Sequence, residues 1–533
     1  MSSPNLARLP AEITLYIAQN IKSTDDHRNL ASCCRDLYDS IIPFVYENIR
    51  VNNTYINQTI RLVETLLRQP HVASWTRSLI LESWDTERDH DYPKSAQRLN
   101  HADPEYPLPP SDKNLTIDTA LIRGAVGLLF PSDDKNGLNE FTAHLMAGTM
   151  DAWMALLMFS LPNVEYLYIT TQYATAYPRL LLERAAARKP PFDVRPALTR
   201  LAHVEIRWHD DSEIIGVLDP WLLPFYYFPS MRAISGDMVR EDDPPQEVEE
   251  KDWKASNLQF TGPISSVAEI RFSKSNGGRG MRSQIECCKN LKVFDYAHED
   301  SFGRGFNVPA FATSLASAKH SLEYLSLGYE REGDSLGFDE WEDVLFGSLT
   351  DYVSLKKLRM RMVNLVGNTD DGEIIESLTR ILPRSLKYLE ITHVTSHYCK
   401  HLRADLKKLL EPSTYSAVTP NLDVIKIIGG IFLEEAPPTG EPDVPPEEIP
   451  WVFTFRRDVS KAIKAIIAAC KQVDVGFTLE DESAVWPATL CVISGMDNYM
   501  DELATRMAEK NTWIFTMNDS ATWVLDDSST WTR

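Results

Sequence analysis

"LEYLSL", Leu322–Leu327, places apolar residues at its first, fourth and sixth positions. The fourth and sixth share one face of a short strand, because strand side chains alternate with period two. The same hexad returns as "LKKLRM" (Leu355–Met360), "LKYLEI" (Leu386–Ile391) and "LDVIKI" (Leu422–Ile427). Upstream stand "VEYLYI" (Val164–Ile169), "LAHVEI" (Leu201–Ile206), "VAEIRF" (Val267–Phe272) and "LKVFDY" (Leu291–Tyr296), with poorer copies at 46–51, 76–81 and 231–236. From Leu291 the hexads start 31, 33, 31 and 36 residues apart, and before it the gaps are 30, 88, 37, 30, 36 and 24. Helical patterns fill the intervals, among them 57–69, 338–349 and 371–382. One strand plus one helix cannot bury its apolar side alone, so the copies must stack on one another.

The hexads resemble the leucine-rich repeat, whose signature is L-x-x-L-x-L. The resemblance implies an α/β solenoid with parallel strands on one face and helices on the other. Spacings vary, and the asparagine that usually follows the hexad is missing in most copies, with Asn364 a displaced exception. Residues 48–480 are assigned to this array. Polar, proline-bearing or acidic stretches near 85–114, 240–252 and 434–450 read as mobile insertions, because such composition cannot offset the entropy of chain ordering. After Pro450, residues 458–470 read as a helix and 472–479 as a further strand. The Trp-bearing segment 481–533 reads as a C-terminal cap, since a stacked array needs its last apolar face covered.

The first 47 residues have a different pattern. "LPAEITLYIAQNI" (Leu9–Ile21) reads as an amphipathic helix with Pro10 at its first position, Glu12 complementing the dipole, and a stripe of Ile13, Ile17 and Ile21 flanked by Tyr16. Asp25 and Asp26 are candidate caps for a second helix through "HRNLASCCRDL", and "IIPFVYENI" follows. Three helices in so short a segment bury too little to be secure alone.

The run from Leu9 to Val51 resembles an F-box, of the kind that precedes leucine-rich repeats in many fungal proteins. That resemblance implies a three-helix domain docking on the adaptor Skp1, and through it on a cullin scaffold. By position the docking residues are Leu9, Pro10, Ile13, Ile17, Leu30, Cys34 and Arg35, and Tyr46 matches the tyrosine that leads into the first repeat. Asn20 and Ile21 depart from the family pattern. The alternative is a helical cap that seals the first repeat, its stripe turned to the protein's own core.

Composition bounds the partners. The 533 residues carry a formal charge of -22, which weighs against nucleic acid and anionic membrane surfaces. The apolar run 145–161 is slightly short for a bilayer and holds Asp151 and Gly148, so a buried helix is expected. Seven cysteines without a CxxC pair suit free thiols in cytosol or nucleus.

The chain also contains weak matches to catalytic and metal motifs. "GDSLG" (Gly333–Gly337) matches a nucleophile elbow around Ser335, but polar residues separate it from the preceding strand. His397 and His401 are spaced for one helix face, without an evident third metal ligand. "SNGGRG" (Ser275–Gly280) lacks the G-K-[ST] end of a phosphate loop. No catalytic residue, cofactor or metal is assigned.

The third and fifth hexad positions, and the residue after the sixth, point onto the open sheet. That face is assigned to a protein substrate, with Tyr166, Tyr168, Arg207, Arg271, Tyr324, Lys357, Arg359, Arg361 and Tyr388 as its contacts. Lys357, Arg359 and Arg361 form a triple-basic strand, read either as a solvated face balanced by nearby acids or as a patch for an acidic or phosphorylated segment. The expected function is a non-catalytic substrate receptor of an SCF-type ubiquitin ligase. The alternatives are a binding scaffold outside ubiquitination and, remotely, a hydrolase using Ser335.

Overall fold

A computed structural model describes residues 9–51, 56–82, 117–131, 133–171, 176–209, 216–218, 221–241, 264–299, 305–329, 344–367, 374–395, 399–430, 433–435, 453–455 and 457–481. Most of the three insertions, the segment beyond 481, Ser335 and His397 lie outside the described residues. Two compact units divide the chain: residues 1–276 with 286–289, and residues 277–285 with 290–533.

Every hexad becomes a strand. The first unit holds β1 (Asn48–Val51), β2 (Ser78–Leu81), β3 (Tyr166–Thr171), β4 (His203–Trp208), β5 (Ala233–Asp237) and β6 (Glu269–Ser275). Each pairs in parallel with the next. The second unit holds β7 (Val293–His298), β8 (Tyr324–Tyr329), β9 (Lys357–Arg361), β10 (Tyr388–Thr395), β11 (Val424–Gly430) and β12 (Gly476–Asp481), again paired in parallel in chain order. Third hexad positions sit opposite one another, as in Tyr324↔Lys357 and Lys357↔Tyr388.

That register stacks the apolar positions into continuous rows. Leu322, Leu325 and Leu327 are fully buried, as are Leu355, Leu358 and Met360, and Leu386, Leu389 and Ile391. A buried leucine is worth roughly 1.5–3 kcal/mol relative to an exposed one, so each hexad supplies several kcal/mol toward the ordering of its repeat. In three repeats the residue two past the hexad is left-handed: Met238 at φ 59°, Lys274 at φ 43° and His393 at φ 56°. At His393 the β10–β11 ladder also shifts register, between Ile391 and Val394.

The connecting helices differ in part from expectation. The pattern at 57–69 forms a helix at Ile56–Arg68, and that at 458–470 forms one at Arg457–Gln472. The apolar run near 150 is a helix, Met150–Phe159, with every residue from Met150 to Met158 buried. Among the described residues no helix is long and apolar enough to cross a membrane. The helix expected over 338–349 is not helical in its described part, 344–349. The helix expected over 371–382 shrinks to Leu378–Ile381, where buried Asp405 accepts the Leu378 amide at 2.7 Å and the Ser377 hydroxyl at 2.5 Å. In both places apolar residues have to be buried, but a short irregular connection does this as well as a full helix.

Three helices precede β1: α1 (Ala11–Asn20), α2 (Thr24–Ser32) and α3 (Arg35–Glu47). Pro10 is the N-cap of α1 rather than its first helical residue, and its carbonyl accepts the amides of Ile13 and Thr14. Ser23, not Asp25 or Asp26, caps α2, its hydroxyl accepting the Asp26 amide at 3.3 Å. The helix expected to run on through Leu37 ends at Ser32, and Cys34, which is extended (φ -164°, ψ 167°), is the N-cap of α3. At the far end of α3 the Tyr46 carbonyl accepts the Thr76 hydroxyl at 2.9 Å, and the Glu47 carbonyl accepts the Arg77 amide. These bonds fix the three helices to the start of the sheet.

Candidate binding surfaces

The small core of α1–α3 consists of Ala18, Ala31 and Ile41, with Leu30 and Phe44 packed against it. His27 lies inside, its Nε2 donating to the Ala18 carbonyl at 2.9 Å while its ring stacks on Phe44. With Ala18 and Thr14 facing inward, helical geometry turns the larger neighbours of α1 away from the core. Leu9 is 39% exposed, Ile13 46%, Leu15 40% and Tyr16 66%, and Tyr38 on α3 is 49% exposed. These are five of the twelve large hydrophobic side chains exposed among the described residues. The other seven are scattered from Leu128 to Ile375, so the concentration belongs to this segment.

The residues assigned to docking fall into two groups. Leu9, Pro10 and Ile13 are exposed, as is Arg35 in the first turn of α3. Ile17, Leu30 and Cys34 are half-buried, and Leu30 also serves the internal core. Leu15 and Tyr38 belong to the exposed set but were not among the sequence-assigned residues. Their only sequence signal is that each sits off the Thr14–Ala18 or Leu37–Ile41 face.

On the open sheet of the first unit, Tyr166, Tyr168 and Arg207 lie on adjacent strands, and Arg271 lies two strands beyond β4. Tyr166 donates to Glu205 Oε2 at 2.8 Å, and burial together with that carboxylate raises its phenol above the ordinary range. Arg207 pairs at 3.2 Å with Asp237, which also accepts the Ser273 hydroxyl at 2.6 Å. Arg271 pairs at 3.4 Å with Glu269 on its own strand.

In the second unit β8, β9 and β10 bring together Tyr324, Lys357, Arg359, Arg361 and Tyr388. The triple-basic strand is partly neutralised by the register. Glu390 stands opposite Arg359 and pairs with it at 3.0 Å, while accepting the Tyr388 hydroxyl at 3.0 Å. Burial, then Glu390, raises the Tyr388 phenol. Lys357 is exposed, its ammonium 5.9 Å from the Tyr388 ring centroid. The Arg361 guanidinium lies 4.8 Å from the Tyr329 ring centroid, a cation–π contact worth about 0.5–2 kcal/mol. His393 meets the same ring edge-on. Burial, and then the charges of Arg361 and Arg359, lower its imidazole to about 4. It is therefore neutral at pH 7, and it extends a face otherwise made of tyrosines and cations. Tyr329 and His393 were missed because they lie one residue beyond the hexad positions assigned to the face.

His401 sits on the helix Cys399–Leu409, while its sequence partner His397 lies outside the described residues, as does Ser335.

A family model described as a leucine-rich repeat domain matches residues 52–440, well over half of the chain. The match begins just after β1, and no F-box family is matched. No curated protein matches the chain.

Proposed function

The chain belongs to the leucine-rich repeat domain family, and from that premise we propose that it is a non-catalytic substrate receptor of an SCF-type ubiquitin ligase. A leucine-rich repeat domain goes with a protein-interaction role. The finer reading rests on one observation: α1 buries Thr14 and Ala18 and leaves Ile13, Leu15 and Tyr16, with Leu9 just before it, on the surface. A sealing cap would turn its large aliphatics inward, whereas a concentrated exposed apolar patch marks a protein interface. On this reading α1–α3 dock on Skp1, which bridges to a cullin, and a repeat face holds the protein to be ubiquitinated.

The chain itself makes and breaks no bond. Tethering the captured protein beside the ubiquitin-loaded enzyme raises the effective concentration of its lysines, so that transfer becomes nearly intramolecular. Arg359 is already held by Glu390, so on the second unit's face exposed Lys357, with Tyr324 and Tyr388 beside it, is the first contact for an acidic or phosphorylated segment.

Co-purification with Skp1 tests the reading. Wild type retains Skp1, and Leu9→Ala/Pro10→Ala loses it with an unchanged melting temperature. Folded wild type that never retains Skp1 overturns the ligase assignment and leaves a scaffold acting outside ubiquitination.

A further inference from the structure

Two helices of the second unit, Cys399–Leu409 and Arg457–Gln472, pack against one another. Their inward residues are Leu402, Leu406 and Leu409 on the first, and Ala462, Ile466 and Cys470 on the second. Every exposed charged residue described on them is basic, with Ala404, Ala468 and Gln472 between. Lys400, Lys407, Lys408, Lys461, Lys464 and Lys471 are exposed, and Arg403 is half-buried. None of the seven forms an ion pair among the described residues, although the same unit pairs Lys292, Lys319, Lys356 and Arg359 with carboxylates. Among the described residues the nearby acids do not offset them. Asp405 is buried and engaged by Ser377 and Leu378, Glu411 and Asp474 follow the helix ends, and Asp458 is the one acid in the second helix's sequence.

The placement is unfavourable for the helices. Lys400–Arg403 and Lys461–Lys464 are like-charge pairs at i,i+3, and Arg403–Lys407 is one at i,i+4; such pairs destabilise a helix. Lys400 also stands in the first turn, where the dipole disfavours a cation. Only Lys407, Lys408 and Lys471, near helix C-termini, gain from the dipole. A solvated face would need none of this, least of all in a chain with 76 acidic and 54 basic residues.

We propose that the outward face of these two helices is a second binding surface, for a short acidic segment of a partner protein. The size of the patch selects the occupant. Lys461 to Lys471 spans about 15 Å at 1.5 Å per helical residue, which an extended peptide covers with about five residues. Charges beyond roughly 8 Å are screened at physiological salt. A short acidic segment therefore feels the patch alone, while a long polyanion runs on into a strongly acidic protein. The surface lies on the helical side and does not depend on the Skp1 reading.

Fluorescence anisotropy of labelled hexaglutamate against the full chain tests the proposal, with a single-stranded RNA and phosphatidylserine vesicles as the other probes. Hexaglutamate binds at low salt, weakens as salt rises, and is lost by at least about tenfold in Lys400→Glu/Arg403→Glu/Lys461→Glu/Lys464→Glu. The corresponding Gln variant, which removes charge without adding repulsion, loses binding in the same direction and serves if the Glu variant fails to fold. The helix substitutions are compared in the Lys357→Glu/Arg361→Glu background, which removes the sheet face's contacts for acidic segments, so that the remaining binding reports the helices alone. Absence of binding by wild type overturns the proposal. So does binding that survives the helix substitutions, or tighter binding of RNA or vesicles through the same residues.

Discussion

Thr14 and Ala18 are smaller and less apolar than the isoleucines beside them, yet they take the inward positions of α1. A three-helix unit with an Ala18–Ala31–Ile41 core brings its helices close together, and close approach needs small side chains. The large ones are thereby left on the surface. His393 shows the opposite case, a polar residue held half-buried against Tyr329. Its neutral form is favoured in the fold, at about 4 against an ordinary value near 6.5 in the unfolded chain. Between those values the unfolded state binds the proton and the folded state does not, so stability falls as pH drops from about 6.5 to 4. No such effect operates above pH 7. His393→Gln should flatten the pH dependence of the unfolding free energy from urea denaturation between about pH 6.5 and 5, by up to about 2 kcal/mol relative to wild type. A variant as pH-sensitive as wild type would place the responsible group elsewhere.

The strand is the element on which the fold depends. In β9, Leu358 is fully buried and paired in register with Leu325 on one side and Leu389 on the other, while Lys357 next to it is exposed. Leu358→Ala should cost about 2–5 kcal/mol in urea denaturation, and Lys357→Ala within about 0.5 kcal/mol. Equal costs would contradict the alternation. The helices were less legible than the strands. A buried strand flanked by strands must alternate, whereas the return segment at 344–349 only has to cover the sheet, and it does so without forming a helix. The break at Cys34 was also hidden, because Leu30, Cys34 and Leu37 keep helical spacing across it.

At the scale of the molecule, the repeat rows and the three leading helices are tied at Tyr46–Thr76 and Glu47–Arg77, but they carry different chemistry. The apolar patch is on α1–α3, and the cations of the second unit are on the sheet and on the helical side. Lys357→Glu/Arg361→Glu should therefore leave Skp1 retention unchanged while Leu9→Ala/Pro10→Ala abolishes it, each measured by co-purification and by melting temperature. Loss of Skp1 in the sheet variant at full stability would mean the two functions share a surface.

The order of the strands, their face and their buried rows follow from the sequence, because period-two alternation is local and repeats with the hexad. The charge state of the exposed face does not. Arg359 reads as a free cation until register sets Glu390 opposite it, and Arg207 until Asp237 arrives from the next strand. The basic surface on Cys399–Leu409 and Arg457–Gln472 emerges only when two helices far apart in the chain lie side by side. Alternation is a property of neighbouring residues, whereas the balance of charge on a surface is a property of residues brought together by packing, and only the tertiary structure decides it.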